Sequence, residues 1–178
     1  APFKAEFLGI GYEEQLRRLT VAKRHLEQVT GFSVTNFIPP WNQYNEDTIQ
    51  ALRLLNFSIM SAAIEHHSET IGSIKLLPHT TEILGLERAV MQARNSKELN
   101  PLIVVMLHEY DFTDNSAATG VIALKSFDEL ITRLAAQSDI TIESLGKTAA
   151  SQQSLTLDRF LLNNKIRKAE RHLPSQLT

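Results

Sequence analysis

From Leu102 to Leu107 the chain reads Leu-Ile-Val-Val-Met-Leu, with no polar residue, and then breaks into His108, Glu109, Tyr110 and Asp111. Alternate side chains of a strand face opposite ways, so a strand with one wet face carries polar residues at every second position. This run has none. It predicts a strand covered on both faces, the pattern of parallel sheets flanked by helices. In folds of that kind, sites form where strands end at their carboxyl side. The run therefore predicts an α/β architecture, with four side chains that can bind or move protons emerging at a strand end.

The rest of the chain alternates in the same sense. Tyr12 to Thr30 reads as a helix with Leu16, Leu19, Leu26 and Val29 on one stripe and Gly31 as its stop. Val34 to Ile38 reads as a strand ended by Pro39-Pro40. A second helix is expected from Glu46, with Asn45 as its cap and Glu46 and Asp47 in a first turn that attracts negative charge. Phe57 to Ser61 and Ile74 to Leu77 are strand candidates, and Leu86 to Asn95 a helix. Ser126 and Glu129 have the spacing of a capping box, which predicts a helix from there to about Gln137. Ile140 to Ile142 is a short last strand candidate. Leu155 to Leu173 reads as a closing helix whose basic side carries Arg159, Lys165, Arg167, Lys168 and Arg171, a pattern usual for a solvated face.

Composition narrows the function. The 178 residues fit one domain, and 43% hydrophobic with 21% charged residues is the balance of a globular chain. A formal charge of −2 calls for no nucleic-acid partner. The absence of cysteine excludes disulfides, thiolate zinc sites and a cysteine nucleophile. No apolar stretch reaches the length of a membrane span.

Three clusters could carry chemistry. An imidazole takes up and returns protons near neutrality, so His108 is a candidate acid or base, with Asp111 or Glu109 to orient its ring. The alternative is a histidine satisfied by hydrogen bonds at a strand end. The second cluster is Pro39, Pro40, Trp41, Asn42 and Tyr44. The two prolines fix an extended backbone. The aromatic rings then offer flat faces that stack on sugars, and Asn42, Gln43 and Asn45 offer hydrogen bonds. The alternative packs Trp41 into the core. Both clusters follow strands and are expected on one side of a common sheet. The third is His66-His67-Ser68-Glu69, where neighbouring histidines in a strand point to opposite faces and seldom share a metal. His79 reads as a loop residue and His25 as solvent-exposed.

Taken together, "FIPPWN" from Phe37 and "MLHEYDF" from Met106 resemble the polysaccharide deacetylase family, the NodB-homology carbohydrate esterases of the family 4 type. The resemblance spans roughly Glu6 to Ala150. It implies a distorted parallel barrel and metal-assisted removal of an acetyl group from a carbohydrate. A divalent metal, zinc foremost, polarises the acetyl carbonyl and activates water. An aspartate serves as base, His108 protonates the leaving group, and Trp41 with the Pro39-Pro40 turn walls the groove. An extracellular or cell-envelope location goes with that family.

The sequence departs from the family pattern at Ile38, where an arginine is common, at Asn42 in place of glycine, and at Glu109 in place of aspartate. The family's Asp-Asp and His-x-x-x-His segments, which carry its base and metal ligands, are not found before Phe37, so no metal ligand is assigned on this chain. The expectation is therefore the carboxyl-terminal part of such a domain over residues 1–150, with 151–178 a closing helical extension. A degenerate member is the alternative. A barrel without its first strands carries an open seam, which predicts self-association or a partner segment there. Two other functions compete: an inactive barrel remnant that binds glycans through Trp41 and Tyr44, and an unrelated α/β hydrolase built on His108, Asp111 and His66 or His67.

Overall fold

Helix α1 spans Tyr12–Thr30, as its leucine stripe predicts. Gly31 closes it in the left-handed region at φ 73°, donating its N–H to the Glu27 carbonyl at 2.9 Å. The computed structural model describes residues 7, 9–62, 70–97 and 99–150. They form two compact units. One runs through Pro78 and resumes at Ser144, and the other is His79–Glu143.

In the first unit, α1 and α2 (Glu46–Leu54) are joined at their heads by polar groups that are themselves buried. Gln15 donates to the Phe7 and Ile10 carbonyls and to Asn45 Oδ1, and accepts from the Thr48 hydroxyl at 2.7 Å. Asn45 in turn caps α2 by accepting from the Thr48 N–H at 3.0 Å. The two fully buried members, Gln15 and Thr48, both find partners, which is what burial of polar groups requires. At the other end of α2, Asn56 takes the left-handed conformation at φ 58°, and the Phe57 N–H reaches back to the Leu52 carbonyl at 2.9 Å. That motif turns the chain into the next strand.

The stripe on α1 is buried only over its first half. Leu19 lies in the core, but Leu26 is 48% and Val29 71% exposed. Helix lengths give the reason. At ~1.5 Å per residue, the 19 residues of α1 greatly outreach the 9 of α2.

Four strands complete this unit in the order β1 (Asn36–Phe37), β2 (Ile59–Met60), β4 (Ile74–Leu76), β3 (Thr70–Ile71). The first three run parallel, and β3 folds back antiparallel on β4. Leu52, Met60 and Ile74, all but fully buried, centre the core, and Phe7, Phe37 and Phe57 stack edge to face across it at 5.5 and 6.2 Å. Helix α5 (Leu145–Ala150) belongs to the same unit.

The second unit is a β-α-β arrangement. β5 (Thr81–Glu82) and β6 (Val105–Met106) pair in parallel, with α3 (Leu86–Arg94) in the connection between them. Ile83, Leu86 and Val90 pack with Leu130 and Leu134 of α4 (Leu124–Ala135). Arg94 ties the end of α3 to Asp139 at 2.7 Å, and Arg133 of α4 reaches Glu87 of α3 at the same distance.

Three expectations change. The apolar run Leu102–Leu107 is not covered on both faces, since of its residues only Val104 is buried. Ile103, Val105 and Leu107 pack on one side, against the Ile83–Leu130 cluster, while Met106 on the other side stays partly exposed. Helix α4 begins at Leu124, ahead of Ser126. It needs no local capping box because the Asp114 carboxylate accepts the Leu124 N–H at 2.7 Å. Ile140–Ile142 forms no strand. The described strands lie in two sheets and do not close into a barrel. His66, His67 and the Leu155–Leu173 segment lie outside the described residues. No described helix is long and apolar enough to cross a membrane.

Candidate functional site

Strand alternation decides which side chains leave the core at β6. Ile103, Val105 and Leu107 pack on the Ile83–Leu130 cluster. Met106 and His108 therefore share the opposite face, and both line a recess of about 260 Å³. Ile83, Leu84 and Glu82 join them from the end of β5, and Tyr110, Asp111 and Val121 complete the lining. The parallel register pairs Glu82 with Met106, so the two strands deliver their next residues to one carboxyl edge. That is where ligands collect in parallel α/β sheets.

Past His108 the chain makes one tight turn, Glu109–Asp111. Asp111 folds back so that its Oδ2 accepts the His108 backbone N–H at 2.7 Å and stands 3.5 Å from the ring Nδ1. The shorter contact anchors the carboxylate. The longer one sets the carboxylate beside the ring, at the limit of hydrogen-bond reach. On the other side the Tyr110 ring stacks on the imidazole, with centroids 4.6 Å apart and planes 10° apart. The imidazole is thus held at its edge and at one face while remaining 41% exposed. With Nδ1 turned to Asp111, Nε2 is left as the nitrogen for exchange with a ligand.

The segment Thr113–Gly120 clasps this turn from outside. Thr119 donates its hydroxyl to the Tyr110 carbonyl at 3.1 Å, and the Asn115 amide donates to the Glu109 carbonyl at 3.2 Å. Val121 and Ile122 both donate their N–H to the Asp111 carbonyl. Gly120 is required here: a Cβ would fall 2.5 Å from Thr113 Cα and 2.6 Å from the Ser116 carbonyl oxygen.

The Pro39-Pro40-Trp41 segment belongs to the first unit and the four-stranded sheet, whereas His108 stands on the two-stranded one. The expected common sheet is corrected to two separate strand ends. Pro39 is buried and Pro40 half-buried. Trp41 is 67% exposed, which displaces the core-packing alternative. Tyr44 instead packs against the first core. Trp41 and the next residue, Asn42, both adopt positive φ, at 58° and 57°. For a bulky residue this is a rare conformation, costing on the order of 1–3 kcal/mol. It turns the indole outward at the end of β1. Glu109 is exposed and contributes its backbone to the turn.

Among the described residues no group of three or more histidines and carboxylates gathers as metal donors. The lining residues that the sequence does not single out are Glu82, Ile83, Leu84 and Val121. Their one local signal is the β-branched Thr80-Thr81 pair before Glu82, which marks β5. In comparisons with known proteins, no family model, no curated protein and no solved structure matches the chain.

Proposed function

We propose that this protein is a hydrolase of the polysaccharide deacetylase type, removing acetyl groups from a carbohydrate, with His108 delivering the proton to the leaving group. The observation that supports it best is the His108–Asp111 pair at the carboxyl end of β6, open to a recess and oriented from two sides. Such a pair needs only a small approach of Asp111 to the ring before it transfers a proton. Asp111 keeps Nδ1 engaged, Tyr110 restrains ring rotation, and Nε2 carries the proton. Positioned acids of this kind are worth about two to four powers of ten in rate. The distorted parallel barrel is the finer fold that accompanies this reading. The resemblance also implies a divalent ion, zinc foremost, but the described residues do not assemble its donors. Orientation and proton delivery fall to the chain's own side chains.

The experiment is acetate release from acetylated oligosaccharides by the wild type and by His108→Ala, beside a thermal melt of each. Loss of most activity with an unchanged melt supports the role. Equal turnover in both proteins overturns it, and a collapsed melt assigns His108 to structure instead. A second reading, glycan binding without catalysis, is favoured by the outward Trp41 on its strained turn. Saccharide binding that depends on Trp41 and is never accompanied by acetate release would select it.

A further inference from the structure

The charges of this chain are not spread evenly. Residues 79–143 carry ten aspartates and glutamates against five lysines and arginines, whereas Leu155–Leu173 carries two against five. In the second unit Arg94 and Arg133 are already engaged by Asp139 and Glu87. Around the recess the imbalance is sharper. Glu82 and Asp111 line it, Glu109 stands on the adjoining turn, and no lysine or arginine lines it. The rest of the lining is apolar and open: Leu84 is 69%, Tyr110 49% and Val121 46% exposed. At about 260 Å³ the recess falls below the roughly 300–1,000 Å³ of small-molecule pockets, a size that suits an anchoring side chain of something larger.

The segment Leu155–Leu173, outside the described residues, has the chemistry that this surface lacks. Its sequence reads as a helix on which Leu155, Leu162, Ile166, Ala169 and Leu173 recur on one stripe, with Arg159 and Lys165 along the borders. Apolar anchors at such spacings are how an amphipathic helix seats in a groove, and opposite charge at the rim selects the partner. Another uncovered apolar surface, Leu26, Val29 and Phe32 at the end of α1, offers no such complement. There Glu14 and Glu27 are paired within α1, and Arg24 and His25 are exposed.

We propose that the recess at the end of β6 is the docking surface for the chain's own basic segment, Leu155–Leu173. A side chain of the apolar stripe rests on Leu84, Tyr110 and Val121, and the basic flanks face Glu82 and Glu109. Because the occupant belongs to the same chain, a weak contact is enough to hold it. Docked there, the segment covers the exposed His108 imidazole. The inference does not depend on the reaction assigned to His108.

The test uses the full chain. It has no cysteine, so Ser175→Cys gives a single attachment point for a nitroxide just beyond the stripe. NMR compares the Leu84 and Val121 methyl signals and the His108 ring signals with the label oxidised and reduced. All should lose most of their intensity in the oxidised form, while the Leu26 and Val29 methyl signals keep theirs. Ile166→Asp, which puts a charge in the stripe, should restore the recess signals, and so should Arg159→Glu combined with Lys165→Glu. The Ile74 and Leu130 methyl signals, buried in the two cores, report that each variant stays folded. At 1 M salt, where charges are screened beyond ~3 Å, the loss should shrink at least about twofold. No loss at the recess, a loss at Leu26 and Val29 instead, or an unchanged loss in Ile166→Asp overturns the proposal. So does a loss of recess signals in isotope-enriched chain without nitroxide when it is mixed with nitroxide-bearing chain, because the occupant is then the segment of a second copy.

Discussion

Replacing Gly120 by alanine tests whether the Thr113–Gly120 segment holds the turn that carries Tyr110 and Asp111. The added methyl would lie 2.5 Å from Thr113 Cα and 2.6 Å from both the Thr113 nitrogen and the Ser116 carbonyl oxygen. Ordinary contacts between carbon atoms fall near ~3.5–4.0 Å, so the overlap is roughly 1 Å. All three atoms are backbone, and no rotamer change relieves them. Accommodating the methyl means parting Gly120 from Ser116, which breaks a 2.8 Å backbone hydrogen bond and loosens the Thr119 hydroxyl bond to Tyr110. Overpacking of this sort costs about 1–3 kcal/mol, and contacts this rigid put the loss at the upper end. A loss of about 3 kcal/mol shifts the closed-to-open ratio of the loop roughly a hundredfold. Urea unfolding should show the reduced stability, and the His108 ring signals in NMR should move as the Tyr110 stack is released. Gly146→Ala is the control. Its nearest neighbour is Asn36 Nδ2 at 3.9 Å, and in helix α5 alanine should gain about 0.5–1 kcal/mol. A Gly120→Ala protein within ~0.5 kcal/mol of wild type, with unmoved His108 signals, would refute the argument.

Three further outcomes are expected. Tyr110→Leu removes the ring stacked at 4.6 Å and should shift the His108 imidazole signals without changing the stability in urea by more than ~0.5 kcal/mol, whereas Tyr110→Phe preserves them; identical spectra in all three proteins would count against ring restraint. Thr48→Val leaves the buried Gln15 carbonyl oxygen without its 2.7 Å donor and should cost about 1–3 kcal/mol in urea unfolding; a neutral effect would mean that the network is not dry. Hydrogen bonds from Arg17 first, and then Arg18, hold the Glu14 carboxyl down at about 2, below its ordinary 4.5. A carboxyl lowered in the folded state stabilises it above pH 4.5 and loses that contribution as the pH falls toward 2. Thermal melts across that window should therefore fall less steeply for Glu14→Gln than for wild type, with the difference shrinking in high salt, and parallel slopes would refute the linkage.

The first two helices and their caps were legible in the residue order. Spacing over one or two turns places Leu16 and Leu19 on one side of α1. Gly31 can end that helix only because a glycine accepts φ 73° without cost. Asn45 caps α2 from the adjacent position. These are interactions between near neighbours, so they are written in local order. The same local reading put His108 at a strand end with Asp111 or Glu109 to orient it, and the fold sets Asp111 beside the ring.

Features that depend on distant partners were settled only by the folded chain. The Leu102–Leu107 run marks a strand, but whether both its faces are covered depends on which layers pack against them, and the Ile83–Leu130 cluster takes the side of Ile103, Val105 and Leu107. Helix α4 starts two residues before its Ser126 because Asp114, ten residues from Leu124, supplies the acceptor. Trp41 is as apolar as a core residue, yet two successive positive φ angles turn it outward. Glu82 reads as one acidic residue in an unremarkable stretch. Only the parallel register of β5 against β6 brings its unused carboxylate to the edge where His108 stands, because strand pairing joins residues that periodicity cannot connect.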